Sequence, residues 1–189
     1  MKKIAIIICS VLLFISCEEK DVRLYPSIIN KAKVIVNQQG AFDKSAQIST
    51  SEISNSISDV ELDASGVIED ITTENVSLKV KRLSGNKAES VKLDLSIEVN
   101  ESGDKYILDD FVFTIPENEA EYNISKSLKS EGVRELTKQL FNVVVNKNTD
   151  TDIEFSFEGT PTPENSNINV EIEIKLQNGL VFKQTIDAI

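Results

Sequence analysis

The sequence predicts an all-β fold, an antiparallel β-sandwich with one inserted α-helix at about residues 130–142. Three observations carry this expectation. Apolar residues alternate with period two from about Ile35 onward, as in strands that bury one face. Clusters of Gly, Pro, Asn and Ser separate the alternating runs. Only one long stretch changes to the 3.6-residue period of a helix, so hairpins rather than βαβ crossovers organise the chain.

Each element follows from local pattern. Ser49 and Glu52 stand in capping-box spacing ahead of a short predicted helix, Ser51 to Ile57. Val76–Val80 and Val91–Leu95 alternate cleanly and flank Gly85-Asn86, a pair suited to a two-residue hairpin turn. That turn would set Val80 opposite Val91, Leu78 opposite Leu93 and Val76 opposite Leu95, and would also bring Lys79 against Lys92, a mildly unfavourable pair. Tyr106 to Ile115 reads as a strand whose alternation breaks at Asp109-Asp110, predicting a bulge or an edge position, and Pro116 ends it. Ser130 to Phe141 has a Ser N-cap, Glu131 in the first turn, Lys138 near the last, and an apolar stripe of Val133, Leu136, Leu140 and Phe141. Ile153 to Phe157 is a further strand, and Gly159-Thr160-Pro161-Thr162-Pro163 reads as a stiff connector. Finally, Val170 to Leu176 and Leu180 to Ile186 flank Gln177-Asn178-Gly179, and a three-residue loop with Gly179 in a G1 bulge would keep both apolar sets on one face.

Composition narrows the function. The 189 residues contain no His, which removes His-based triads, a histidine general base and His-ligated zinc. Lys and Arg number 20 against 31 Asp and Glu, for a formal net charge of -11. That sign opposes phosphate backbones, so no nucleic-acid partner is expected. No Gly-rich phosphate loop, Cys/His cluster or nucleophile elbow occurs.

The N-terminus reads as an export signal. Lys2-Lys3 precede Ile4 to Ile15, an almost wholly apolar stretch shorter than the roughly 18 residues a spanning helix needs. Phe14-Ile15-Ser16-Cys17 resembles the lipobox of bacterial lipoproteins, with Phe14 where Leu is usual. The resemblance implies cleavage before Cys17 and a covalent lipid on its thiol. Cys9 lies in the leader, so Cys17 is the one cysteine of the processed chain, and an intramolecular disulfide is ruled out. Glu18, Glu19, Lys20 and Asp21 follow in a segment without strand or helix pattern. This acidic cluster resembles the export signal behind the lipidated cysteine of surface-exposed lipoproteins, and the Leu-Phe-Ile-Ser-Cys ending is similar to spirochaete outer-surface lipoproteins. The expected organisation is a leader at 1–16, an acidic tether at 17–30 and a β-sandwich domain at 31–189.

Beyond Cys17, chemistry-bearing patterns are weak. Asn146, Asn148, Asp150, Asp152 and Glu154 alternate like the start of a calcium loop, but Thr151 and Phe157 stand where an EF-hand needs Gly and Glu. A polar loop leading into a strand is preferred to calcium binding. Glycosidase-type carboxylate pairs could be drawn from Asp109 with Asp110, or from Glu117, Glu119 and Glu121. With so many acids, a solvated charged surface is the better reading. Tyr25, Tyr106 and Tyr122, without any Trp, give thin support for glycan stacking. The expectation is a lipid-anchored envelope protein, non-enzymatic, at the outer membrane or cell surface. A carboxylate-dependent hydrolase and an accessory subunit of an outer-membrane complex are the alternatives, and the protein or glycan partner is not legible.

Overall fold

The computed structural model describes residues 19–98, 103–148 and 152–187. They form a β-sandwich of two antiparallel sheets with two short α-helices. The first sheet contains β1 (Glu19–Leu24), β2 (Ser27–Gln39), β4 (Val67–Arg82), β7 (Glu119–Asn123) and β9 (Asn167–Asp187). β9 is its spine, paired with β1 and β2 along one side and with β4 along the other, and β7 follows β4. The second sheet runs β3 (Phe42–Ile48), β8 (Ile153–Thr162), β5 (Ser90–Ile97) and β6 (Lys105–Thr114). Alternate apolar residues of both sheets meet between them: Val34 and Val36 of β2, Leu78 and Val80 of β4, Leu93 and Leu95 of β5, and Phe155 and Phe157 of β8 are all buried.

α1 (Thr50–Ser58) starts at the expected capping box, with Ser49 Oγ accepting from the Glu52 amide and Glu52 Oε2 accepting from the Ser49 amide. α2 (Ser130–Val144) covers the expected span, but Lys129 rather than Ser130 is its N-cap, and its side chain makes no capping hydrogen bond. The Lys129 amide instead donates to the Ile107 carbonyl, which ties the helix start to β6. The Asp109-Asp110 break is a bulge on an edge strand, since Leu108 and Phe111 flank it against Leu95 and Leu93 of β5.

Four expectations need correction. β4 and β5 are not a hairpin, because they belong to different sheets. Both edges of β4 are taken by β9 and β7, and both edges of β5 by β6 and β8. Gly85, at φ 88, still bends the chain, but the bend carries it across the sandwich, where the Leu83 and Lys87 amides donate to the Asn169 and Asn167 carbonyls. The two apolar sets therefore face each other through the core. Lys79 and Lys92 are separated and bond Glu119 at 3.0 Å and Asp110 at 2.7 Å.

β9 likewise does not turn at Gln177-Asn178-Gly179 but runs straight through. The even-numbered positions from Ile168 to Phe182 keep one phase, with Asn178 fully buried among them. Asn178 Nδ2 donates to Asn30 Oδ1 at 3.1 Å, and its Oδ1 accepts from Thr73 Oγ1 at 3.1 Å. Gly179 serves space rather than a turn, since a Cβ there would lie 2.3 Å from Glu74 Oε1. Glu74 is skipped in the register where β4 bulges between Thr73 and Asn75.

The predicted connector at 159–163 is mostly strand: β8 continues to Thr162, with Pro161 opposite Val91. The predicted tether is also largely strand, since β1 pairs Glu19–Leu24 with β9 and β2 begins at Ser27. Strand pairing is thus already present at Glu19, ahead of residue 31. β1 carries no buried apolar alternation and is held by main-chain pairing, by the Lys183–Asp21 bridge at 2.7 Å and by the Arg23–Glu69 bridge at 2.9 Å.

Candidate functional site

Cys17 lies outside the described residues, as does Asp150 of the calcium-like run. The described members of that run do not share a strand face. Asn146 follows α2 and bonds Asn142 at 2.9 Å, Asp152 accepts from the Thr50 amide at the start of α1, and Glu154 is on β8.

The bulge on β6 gathers three acids. The carboxyl oxygens of Asp94, Asp109 and Asp110 lie within 4.8 Å of one another. Oxygen donors of this kind suit a hard divalent cation, but the cluster already has its own counter-charges. Lys92 bonds Asp110 at 2.7 Å, and Lys129 bonds Asp109 at 3.0 Å. The Lys92 ammonium holds the Asp110 carboxyl below its ordinary range. Asp94 accepts from the Asp110 amide, which fits the bulge, where Asp110 takes a left-handed φ of 53. The cluster is accounted for as the internal wiring of an exposed edge.

Converging carboxylates occur in a pairing that sequence reading did not offer, Glu98 just past β5 with Glu154 on β8. Glu154's carboxyl hydrogen bond, and then its negative charge, push the Glu98 carboxyl up. Both residues are exposed, whereas a glycosidase needs its two acids across a cleft. Glu119 pairs with Lys79, and Glu121 accepts from Ser77 Oγ at 2.5 Å, so these acids are surface partners as well. Tyr25 follows β1 at one lateral edge of the sandwich and Tyr106 is on β6 at the other, so they make no common stacking platform.

The hollow that does combine shape and chemistry is apolar. α1 and the C-terminal end of α2 approach each other over the start of β4, leaving two adjoining hollows of about 330 and 220 Å³. Ile57, Ile68, Val144 and Lys147 line both. The floor toward β9 is the Phe182 ring, which lies so close to Gly66 that a Cβ there would meet it at 2.0 Å. Sequence reading ended the second helix before Val143 and placed Ile57 at the end of the first; the signal it passed over was the surplus of apolar residues, Val60, Leu62, Val67 and Ile68, just after that first helix.

The chain has no matching family model and no matching curated protein. Among solved structures it is similar to the capsid protein in a crystal structure of the 60-mer BFDV capsid, at 7% identity and a TM-score of 0.42, over 89% of this chain and 97% of that one. It is also similar to desmodium yellow mottle tymovirus, at 12% identity and a TM-score of 0.31, over 88% and 91% of the two chains. Neither likeness bears on what the chain does.

Proposed function

We propose that the chain is a lipid-anchored envelope protein, held at the outer membrane or cell surface through Cys17, whose β-sandwich head binds a partner or ligand rather than catalysing a reaction. The observation that carries this reading is the lone Cys17 closing the short apolar stretch Ile4–Ile15 behind Lys2-Lys3. An acyl chain contributes about 0.8 kcal/mol per buried CH₂ to membrane attachment. β1 opens at Glu19, so in sequence a single residue, Glu18, stands between Cys17 and the first described strand. The absence of His and the exposure of the Glu98–Glu154 pair favour binding over hydrolysis.

An accessory subunit of an outer-membrane complex is the second reading. It is favoured by Ile29 and Ile35, 47% and 58% exposed on the edge strand β2. The test is fractionation and protease shaving of intact cells carrying wild type or Cys17→Ala. Membrane retention of wild type, lost in Cys17→Ala, is expected, with cleavage of wild type in intact cells if it faces outward. Retention that survives Cys17→Ala would overturn the anchor.

A further inference from the structure

We propose that the groove between α1, the end of α2 and the start of β4 binds a single linear acyl chain ending in a carboxylate, with Lys147 as the partner of that carboxylate. The inference rests on the binding reading above but not on the anchor.

Shape comes first. The two hollows share four lining residues and so adjoin, and their combined walls reach from Ile53 on α1 to Phe182 on β9, room for a chain-like ligand to pass from one to the other. Its volumes of about 330 and 220 Å³ suit a small ligand. Packing comes second. The inner residues of the sandwich are sealed, yet Ile57, Leu62, Ile68 and Val143 remain half-buried around this one trough, as apolar walls with an unfilled side.

Charge completes the argument. Lys147 lines both hollows and, among the described residues, forms no ion pair, so its ammonium is open to an anion at the groove. The acid of the groove, Asp63, is already engaged, accepting from the Ser65 amide at 2.8 Å and from Ser65 Oγ at 2.6 Å. Lys147 also sits at φ 54 just past α2, a left-handed position that Gly would occupy without strain. A lysine kept there at a conformational cost, at the mouth of an apolar trough, matches an anionic head on an apolar tail.

The test uses the full chain carrying Cys17→Ala, which lacks the lipid site, titrated calorimetrically with octanoate, decanoate and dodecanoate below their micelle concentrations. One-to-one binding is expected, tightening about tenfold for each two carbons added. Dodecanol should bind about tenfold more weakly than dodecanoate, and Lys147→Gln should erase that difference. Ser54→Trp, placed on the exposed face of α1 at the groove, should abolish binding of both ligands while leaving the melting temperature unchanged. No saturable dodecanoate binding, binding at many equivalent sites, or an unchanged acid affinity in Lys147→Gln would each overturn the proposal. Membrane retention of the wild type is read separately, so failure of the groove and failure of the anchor are distinguishable.

Discussion

Asn178 is the residue at which the fold can be tested most sharply. It is fully buried in the middle of β9 and links Thr73 of β4 to Asn30 of β2, while Asn30 Nδ2 goes on to Ser56 Oγ of α1 at 3.2 Å. Asn178→Ala removes two hydrogen bonds, each with a net contribution of about 1 kcal/mol, and strands the Asn30 Oδ1 acceptor at a further cost of about 1 kcal/mol or more. The expected loss is about 3 kcal/mol, or about 6–12 °C in melting temperature for a chain of this size. Urea denaturation at equilibrium reads the free energy directly. If residues 177–179 were instead a hairpin turn, Asn178 would be solvated and its truncation would cost less than about 0.5 kcal/mol. The double replacement Asn30→Leu with Asn178→Leu removes both buried partners together and should cost less than the sum of the single changes. A loss below about 1 kcal/mol for Asn178→Ala, or strict additivity in the double variant, would refute the buried polar link.

Four further outcomes follow from the same contacts. Gly132→Ala should destabilise by about 2 kcal/mol or more in urea, because its Cβ would come 2.2 Å from the Tyr106 carbonyl oxygen on β6, outweighing the better helix propensity of Ala. Ser49→Ala should cost about 1 kcal/mol by the same measurement, through loss of the capping box of α1. Glu98 holds its proton more tightly folded than unfolded, so the ionised Glu98–Glu154 pair opposes folding, and that penalty is relieved as pH falls through the raised pKa. Glu154→Gln should therefore raise the urea midpoint at neutral pH and leave it unchanged in acid. Glu121 acts with the opposite sign: its lowered carboxyl adds stability above the unfolded pKa that is lost as pH falls through the folded one, and Ser77→Ala should shrink that loss in a pH series of urea midpoints.

Alternation along a chain reports which face of a strand is buried, and this much was legible: 76–80, 91–95, 106–114, 153–157, 170–176 and 180–186 all lie in strands, the last two in one continuous strand, and both helices exist. Alternation does not report which strand lies beside which. Val76, Leu78 and Val80 are equally well buried whether Val91, Leu93 and Leu95 lie next to them in one sheet or opposite them in another, so the Gly85-Asn86 bend was read as a hairpin when it is an arch. One warning was present in the residues themselves, the Lys79–Lys92 clash, which the arch removes by giving each lysine an acid. The straight course of β9 was also written in the sequence, because even-numbered positions stay in phase through Asn178. A buried asparagine looks like a turn residue until its partners are known, and Asn30 and Thr73 lie 148 and 105 residues away. β1 could not be found by period at all, since none of residues 20–24 is fully buried and the strand depends on main-chain pairing with the far end of the chain. The groove shares that limitation. Its walls come from α1, α2, β4 and β9, each amphipathic for ordinary reasons, and only their convergence leaves Ile57, Ile68 and Val143 half-covered beside Lys147, which has no ion pair among the described residues. A site assembled from four elements, none carrying a motif of its own, is invisible to spacing and depends wholly on the pairing that spacing cannot supply.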